Sequence, residues 1–140
     1  MVIKSPTAFF LWIVVPAVFA CTPVRNMGIQ FGWNSSHVSA SQIFELANWI
    51  ADLRVKYPNR EAIYISASAD MEERGAERLA WRRAGAVRQA IDALKFTATE
   101  IHSPKEVEVV KAGSFGPGRR DDVRRVDVEF WPGCPHECSS

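Results

Sequence analysis

The 140-residue chain has almost no net charge: 17 lysines and arginines stand against 16 aspartates and glutamates, a formal +1. So even a balance creates no global field to draw in a nucleic acid or an acidic lipid surface. The basic pairs Arg119-Arg120 and Arg124-Arg125 are split by Asp121 and Asp122, which reads as a solvated loop rather than a phosphate-binding patch. Histidine is also sparse. His37, His102 and His136 lack metal-ligand spacing, so no metal is expected, and they read as surface or loop residues. No serine-histidine-acid or cysteine-histidine constellation stands out, and neither an enzyme nor a cofactor is expected. There is no internal repeat and no low-complexity block. With 47% hydrophobic and 24% charged residues, the composition suits one globular domain plus a leader.

Long apolar runs are missing as well. The strongest, residues 8–20, falls short of the roughly 20 residues that a membrane-spanning helix needs. Behind Lys4, and ending in small residues, it has the form of a signal-peptide core, so residues 1–20 are read as a signal peptide. Val18-Phe19-Ala20-Cys21 resembles a bacterial lipobox, which would make Cys21 the lipidated first residue of the exported chain. Ordinary cleavage after Ala20, giving a soluble periplasmic protein, is the alternative. Lipidation of Cys21 leaves the even pair Cys134 and Cys138 in an oxidising compartment. That pair reads as a small disulfide loop or two unpaired thiols, in preference to a zinc site with His136.

The remaining chain carries alternating and helical patterns in turn. Residues 22–28 read as a tether and residues 29–33 as a short strand, followed by a polar turn at Asn34-Ser35-Ser36. Ser39 and Gln42 have capping-box spacing. Ile43, Leu46, Ala47, Ile50, Leu53 and Tyr57 then follow as the buried face of a helix that Pro58 ends. Residues 62–68 alternate as a second strand, and residues 74–94 carry the stripe Leu79, Ala86, Val87, Ala90, Ile91 and Leu94 of a second helix. A third strand is expected at residues 106–110. In the last strand Val126, Val128 and Phe130 face one way, against Arg125, Asp127 and Glu129. Two amphipathic helices need a surface on which to bury their stripes, and a four-stranded sheet supplies it. The expected fold is an α+β two-layer sandwich whose last two strands form an antiparallel pair.

Arg83 breaks the pattern. It lies four residues after Leu79 and four before Val87, inside the apolar stripe, where an unpaired charge is expensive. Asp70, at the end of the second strand, is one candidate partner, and a bound carboxylate is another, since guanidinium grips carboxylate through two parallel hydrogen bonds. A plainer reading stands beside this one. Asp70 with Glu73 can cap the second helix, and Arg83 can be one more solvated arginine beside Arg74, Arg78, Arg82 and Arg88.

Several segments, in order, resemble the OmpA-like peptidoglycan-binding domains. They are Phe31-Gly32-Trp33-Asn34-Ser35-Ser36, Ala69-Asp70, Leu79 with Arg82-Arg83-Ala84 and Val87, Gly113 with Pro117, and Arg124-Arg125-Val126-Asp127-Val128. The resemblance covers residues 29–131. It implies a non-catalytic domain that holds the diaminopimelate residue of the peptidoglycan stem peptide and tethers the outer membrane to the cell wall. Asp70 would accept from the ligand's ammonium and Arg83 would grip a carboxylate, with Asn34, Ser35 and Arg124 lining the same cleft. Removing either charge would then cost affinity with little harm to folding. Peptidoglycan, the outer membrane through a lipid anchor at residues 21–28, and an envelope protein are the implied partners. Residues 132–140 form a cysteine-containing tail. The sequence departs from the family in a shorter segment between Asp70 and Leu79, in Ala76 and Val123 where asparagine is usual, and in Ser68 before Ala69. An alternative is therefore a protein-interaction module of an envelope or secretion assembly, built on the same fold without cell-wall binding.

Overall fold

A computed structural model of the chain describes residues 24–96, 100–114 and 123–133. Residues 1–20, expected to be a signal peptide, together with Cys21 and the tail pair Cys134 and Cys138, lie outside the described residues. The elements are β1 (Arg25–Gln30), α1 (Ala40–Lys56), β2 (Arg60–Asp70), α2 (Ala76–Ala93), β3 (Glu100–His102), β4 (Glu108–Val110) and β5 (Arg125–Pro132). The architecture is α+β, two helices on one mixed sheet.

The capping box at the start of α1 forms in full. The Ser39 hydroxyl accepts from the Gln42 N–H at 3.3 Å, and the Gln42 side chain accepts from the Ser39 N–H at 2.9 Å. The Gln42 amide also donates to the Gln30 carbonyl, which fastens the helix start to the end of β1. Leu46, Ile50 and Leu53 are buried as the spacing predicts, while Ile43 stays 40% exposed. At the far end, Arg54 donates to the carbonyls of Leu94 and Lys95 at 2.9 and 2.7 Å. One cation thereby satisfies carbonyls left over at the end of α2.

β2 organises the sheet, being long enough to serve three neighbours. β5 runs antiparallel along most of it, pairing Ala62 with Trp131 through to Ala67 with Val126. On the other side β3 pairs in parallel with Ala62–Tyr64 and β4 with Ser68–Asp70. β1 closes the free side of β5, antiparallel. Parallel neighbours need a crossover, and α2 provides it between β2 and β3. Alternate residues Ile63, Ile65, Ala67 and Ala69 of β2, with Val126, Val128 and Phe130 of β5, bury against Leu46, Ile50, Leu53, Val87 and Ile91. The opposite face leaves Tyr64 stacked on His102 and edge-on to Trp131.

Three expectations need correction. β1 starts at Arg25, so residues 25–28 belong to the sheet and not to a tether, while Phe31 and Trp33 fall in the turn after it. The sheet has five strands, because the stretch around Pro104 is two three-residue strands with the proline between them. The last two strands do not pair: β5 sits between β1 and β2, and β4 lies across β2 from it. Strands of three residues are too short to declare a period, and pairing partners are not encoded in alternation. No helix among the described residues is long and apolar enough to cross a membrane.

Candidate functional site

Arg83 is fully buried, as its place between Leu79 and Val87 demands. A guanidinium there must spend every N–H on an internal acceptor, and it does. Its Nε donates to the Ser35 carbonyl at 2.9 Å. Nη1 donates to the Ser68 carbonyl at 3.3 Å and to Glu73 Oε2 at 2.8 Å. Nη2 donates to the Gly32 carbonyl at 3.1 Å and to Glu73 Oε1 at 2.6 Å. The Phe31 ring lies 5.3 Å from the guanidinium carbon.

Glu73 is the centre of the cluster. Its carboxylate, with no exposed side-chain surface, meets Arg83 fork to fork. Oε1 also accepts from the Asn34 N–H at 2.8 Å and Oε2 from the Asp70 N–H at 3.0 Å. Burial pushes the Glu73 carboxyl up, but the Arg83 hydrogen bonds, the two backbone N–H groups and the Arg83 charge outweigh it. The group is held below its ordinary value of 4.5.

Local chain geometry explains how Glu73 arrives there. Asp70-Met71-Glu72-Glu73 closes a turn in which the Glu73 N–H donates to the Asp70 carbonyl at 2.9 Å. Asp70 Oδ1 accepts from the Glu72 N–H at 3.0 Å. The reciprocal Asp70–Glu73 contacts have the logic of a capping box, but the helix they were expected to cap begins later, at Ala76. Gly75 intervenes at φ 59°, a left-handed conformation that suits glycine, and its side-chain-free position gives α2 no cap. The Asn34 side chain accepts from the Arg74 N–H at 2.8 Å, which pins the turn from the opposite side.

The five residues singled out from the sequence are thus brought to one end of the sheet. Asn34, Ser35, Asp70 and Arg83 are joined directly or through Glu73. Arg124 stands beside them: its carbonyl accepts from the Phe31 N–H at 2.8 Å and its guanidinium carbon lies 5.8 Å from the Trp33 ring. Glu73 is the residue that sequence reasoning passed over, having assigned it to the helix cap. A signal for it did exist. An arginine inside an apolar stripe calls for a carboxylate, and Glu73 combines a longer reach than Asp70 with a place in the short segment between β2 and α2. Just past that turn lies an open cleft of about 620 Å³, lined by Gly75, Ala76, Glu77, Arg78 and Trp81. No group of residues able to hold a metal ion occurs among the described residues.

Two helices on a mixed sheet, with this cluster at the end of β2, make a small α+β fold that solved structures share. The chain is similar to the peptidoglycan-associated lipoprotein of Burkholderia pseudomallei, with a TM-score of 0.53 and 19% identity over 74% of this chain and 89% of that one. It is similar to the periplasmic domain of Helicobacter pylori MotB, with a TM-score of 0.59 and 13% identity over 81% and 76%. It is also similar to the OmpA-like domain of FopA1 from Francisella tularensis, with a TM-score of 0.50 and 14% identity over 79% and 76%. No family model matches the chain, and no curated protein does. The chain has the OmpA-like fold, in a divergent sequence.

Proposed function

We propose that this chain is a non-catalytic domain of the bacterial envelope that associates with peptidoglycan on the periplasmic side. Its ligand in this reading is the diaminopimelate-containing stem peptide. Asp70 accepts from the ligand's ammonium, and Arg83 receives its carboxylate in place of Glu73. Asn34, Ser35 and Arg124 complete the rim. A lipid on Cys21 would make the domain a tether between the outer membrane and the cell wall.

The observation that carries the reading is the convergence of Asn34, Ser35, Asp70 and Arg83 on one hydrogen-bonded cluster, with Arg124 beside it. Likeness in fold to a protein named as peptidoglycan-associated supports the ligand class. The test is co-sedimentation of the purified exported protein with peptidoglycan sacculi, beside Asp70→Asn and Arg124→Ala variants checked for folding by circular dichroism. Sedimentation that these substitutions weaken supports the reading.

One observation favours a second reading. Every Arg83 donor is already engaged within the chain, so its grip on an external carboxylate is not free for the taking. A domain kept for contacts with another envelope protein would have this closed form. A folded wild-type protein that stays in the supernatant at every sacculus concentration would decide for it.

A further inference from the structure

We propose that the pocket around Arg83 is a carboxylate receptor and that Glu73 is its built-in occupant, which an external carboxylate enters only by exchange. The receptor follows from geometry alone. That its external ligand belongs to peptidoglycan rests on the function proposed above.

Four donors converge on the Glu73 carboxylate: the N–H groups of Asn34 and Asp70 and both terminal nitrogens of Arg83, all between 2.6 and 3.0 Å. They come from the turn after β1, the end of β2 and the middle of α2. Only the Asp70 N–H, which lies in the turn that Glu73 closes, is local to the segment that carries Glu73; the other three donors are not. The arginine is also held by the carbonyls of Gly32, Ser35 and Ser68, contacts that do not involve Glu73. Taking the Glu73 side chain away would therefore leave the receptor assembled and aimed. Its occupant, by contrast, rides on the short stretch between β2 and α2, flanked by exposed Met71, Glu72 and Arg74.

Exchange is also the path with the smallest electrostatic obstacle. Breaking a buried ion pair by removing one partner is strongly destabilising, because the other charge is left without compensation. When one carboxylate replaces another, the guanidinium stays paired at both ends of the process. The displaced Glu73 carboxylate regains water. Glu73 then acts as an internal competitor that sets the threshold for ligand.

The test is chemical rescue. Glu73→Ala removes a carboxylate and its adjoining methylene, the two carbons that acetate supplies. The thermal midpoint of the full exported chain is followed by circular dichroism as acetate is added, with acetamide and chloride as controls. The variant is expected to melt below wild type. Acetate should raise its midpoint, climbing with the logarithm of concentration once the site fills, as linkage requires. Wild type, whose receptor is occupied, should gain no such increment. A variant that responds to acetate no more than wild type does overturns the proposal. If Glu73→Ala is unfolded in buffer, the same series reads recovery of the folded signal, and no recovery overturns it equally.

Sacculus sedimentation separates the two claims. Several-fold tighter sedimentation of Glu73→Ala than of wild type, reversed by acetate, supports exchange. Equal sedimentation of the two proteins, where both bind, overturns exchange. Rescue by acetate without any sedimentation leaves the receptor standing and removes peptidoglycan as its ligand.

Discussion

Arg83→Met offers the sharpest check on the physical account of the cluster. Methionine fits the apolar stripe between Leu79 and Val87, so packing is largely kept and the charge is what disappears. The Glu73 carboxylate is then left buried with only the Asn34 and Asp70 N–H groups, and the carbonyls of Gly32, Ser35 and Ser68 lose their donors. Losing one partner of a buried pair costs about 3–5 kcal/mol. Against a domain stability of about 5–15 kcal/mol, that is a large share. For a domain of this size it corresponds to a fall in thermal midpoint on the order of 15–30 °C. Glu73→Leu should cost a comparable amount by stranding the guanidinium. The double variant removes both charges together, and an apolar pair of similar volume is often tolerated. Urea unfolding of the four proteins therefore forms a double-mutant cycle, with the double variant expected to be more stable than either single one. Strictly additive losses, or a loss below about 1 kcal/mol for Arg83→Met, would refute the reasoning. The full burial of Arg83 and its five internal hydrogen bonds predict, against the expectation from the sequence, that its removal harms folding. Weak binding by an Arg83 variant would report first on an injured fold, so ligand contact is tested with the Asp70→Asn and Arg124→Ala variants.

Three further outcomes follow from the structure. Glu73 has its folded value held below 4.5, so its contribution to stability is complete above about that pH and is lost as pH falls through the folded value. A thermal midpoint that is flat from neutrality to mild acidity and then drops, with a shallower drop in Glu73→Gln, checks this. Ser39→Ala removes the reciprocal cap of α1 and should cost about 1 kcal/mol in urea unfolding. Phe130→Ala empties a fully buried position in contact with Tyr57 and Phe96, and should cost about 3–5 kcal/mol by the same measurement.

Legibility in the sequence followed the length of the signal. α1 announced itself through Ser39, Gln42 and Pro58, and β5 through six alternating positions. β3, three residues long, had no period to display, while the strand expected at residues 106–110 is found as the shorter β4, and the pairing of both with β2 depends on where α2 returns the chain. In the site, the anomaly of Arg83 was plain, because an arginine between Leu79 and Val87 violates the helical pattern. Its partner was not. Asp70 and Glu73 both precede α2 within one turn, and the choice between them rests on a three-dimensional detail, the left-handed Gly75 that separates the turn from the helix. Ser35, Gly32 and Ser68 contribute carbonyl oxygens, and a backbone oxygen has no signature in the side-chain alphabet.

Because Arg83 on α2 is joined to Gly32 and Ser35 of one turn, 51 and 48 positions away, and to Ser68 in β2, 15 positions away, these three segments share one charge. None of them can fluctuate alone without leaving that charge in a dry interior. Their openings are therefore bound into a single event. The amide protons of Asn34 and Asp70, one in a turn and one at a strand end, should exchange with solvent deuterium at the same free energy, well above that of ordinary loop amides. A surface turn would in this way be as slow to open as the core beneath it.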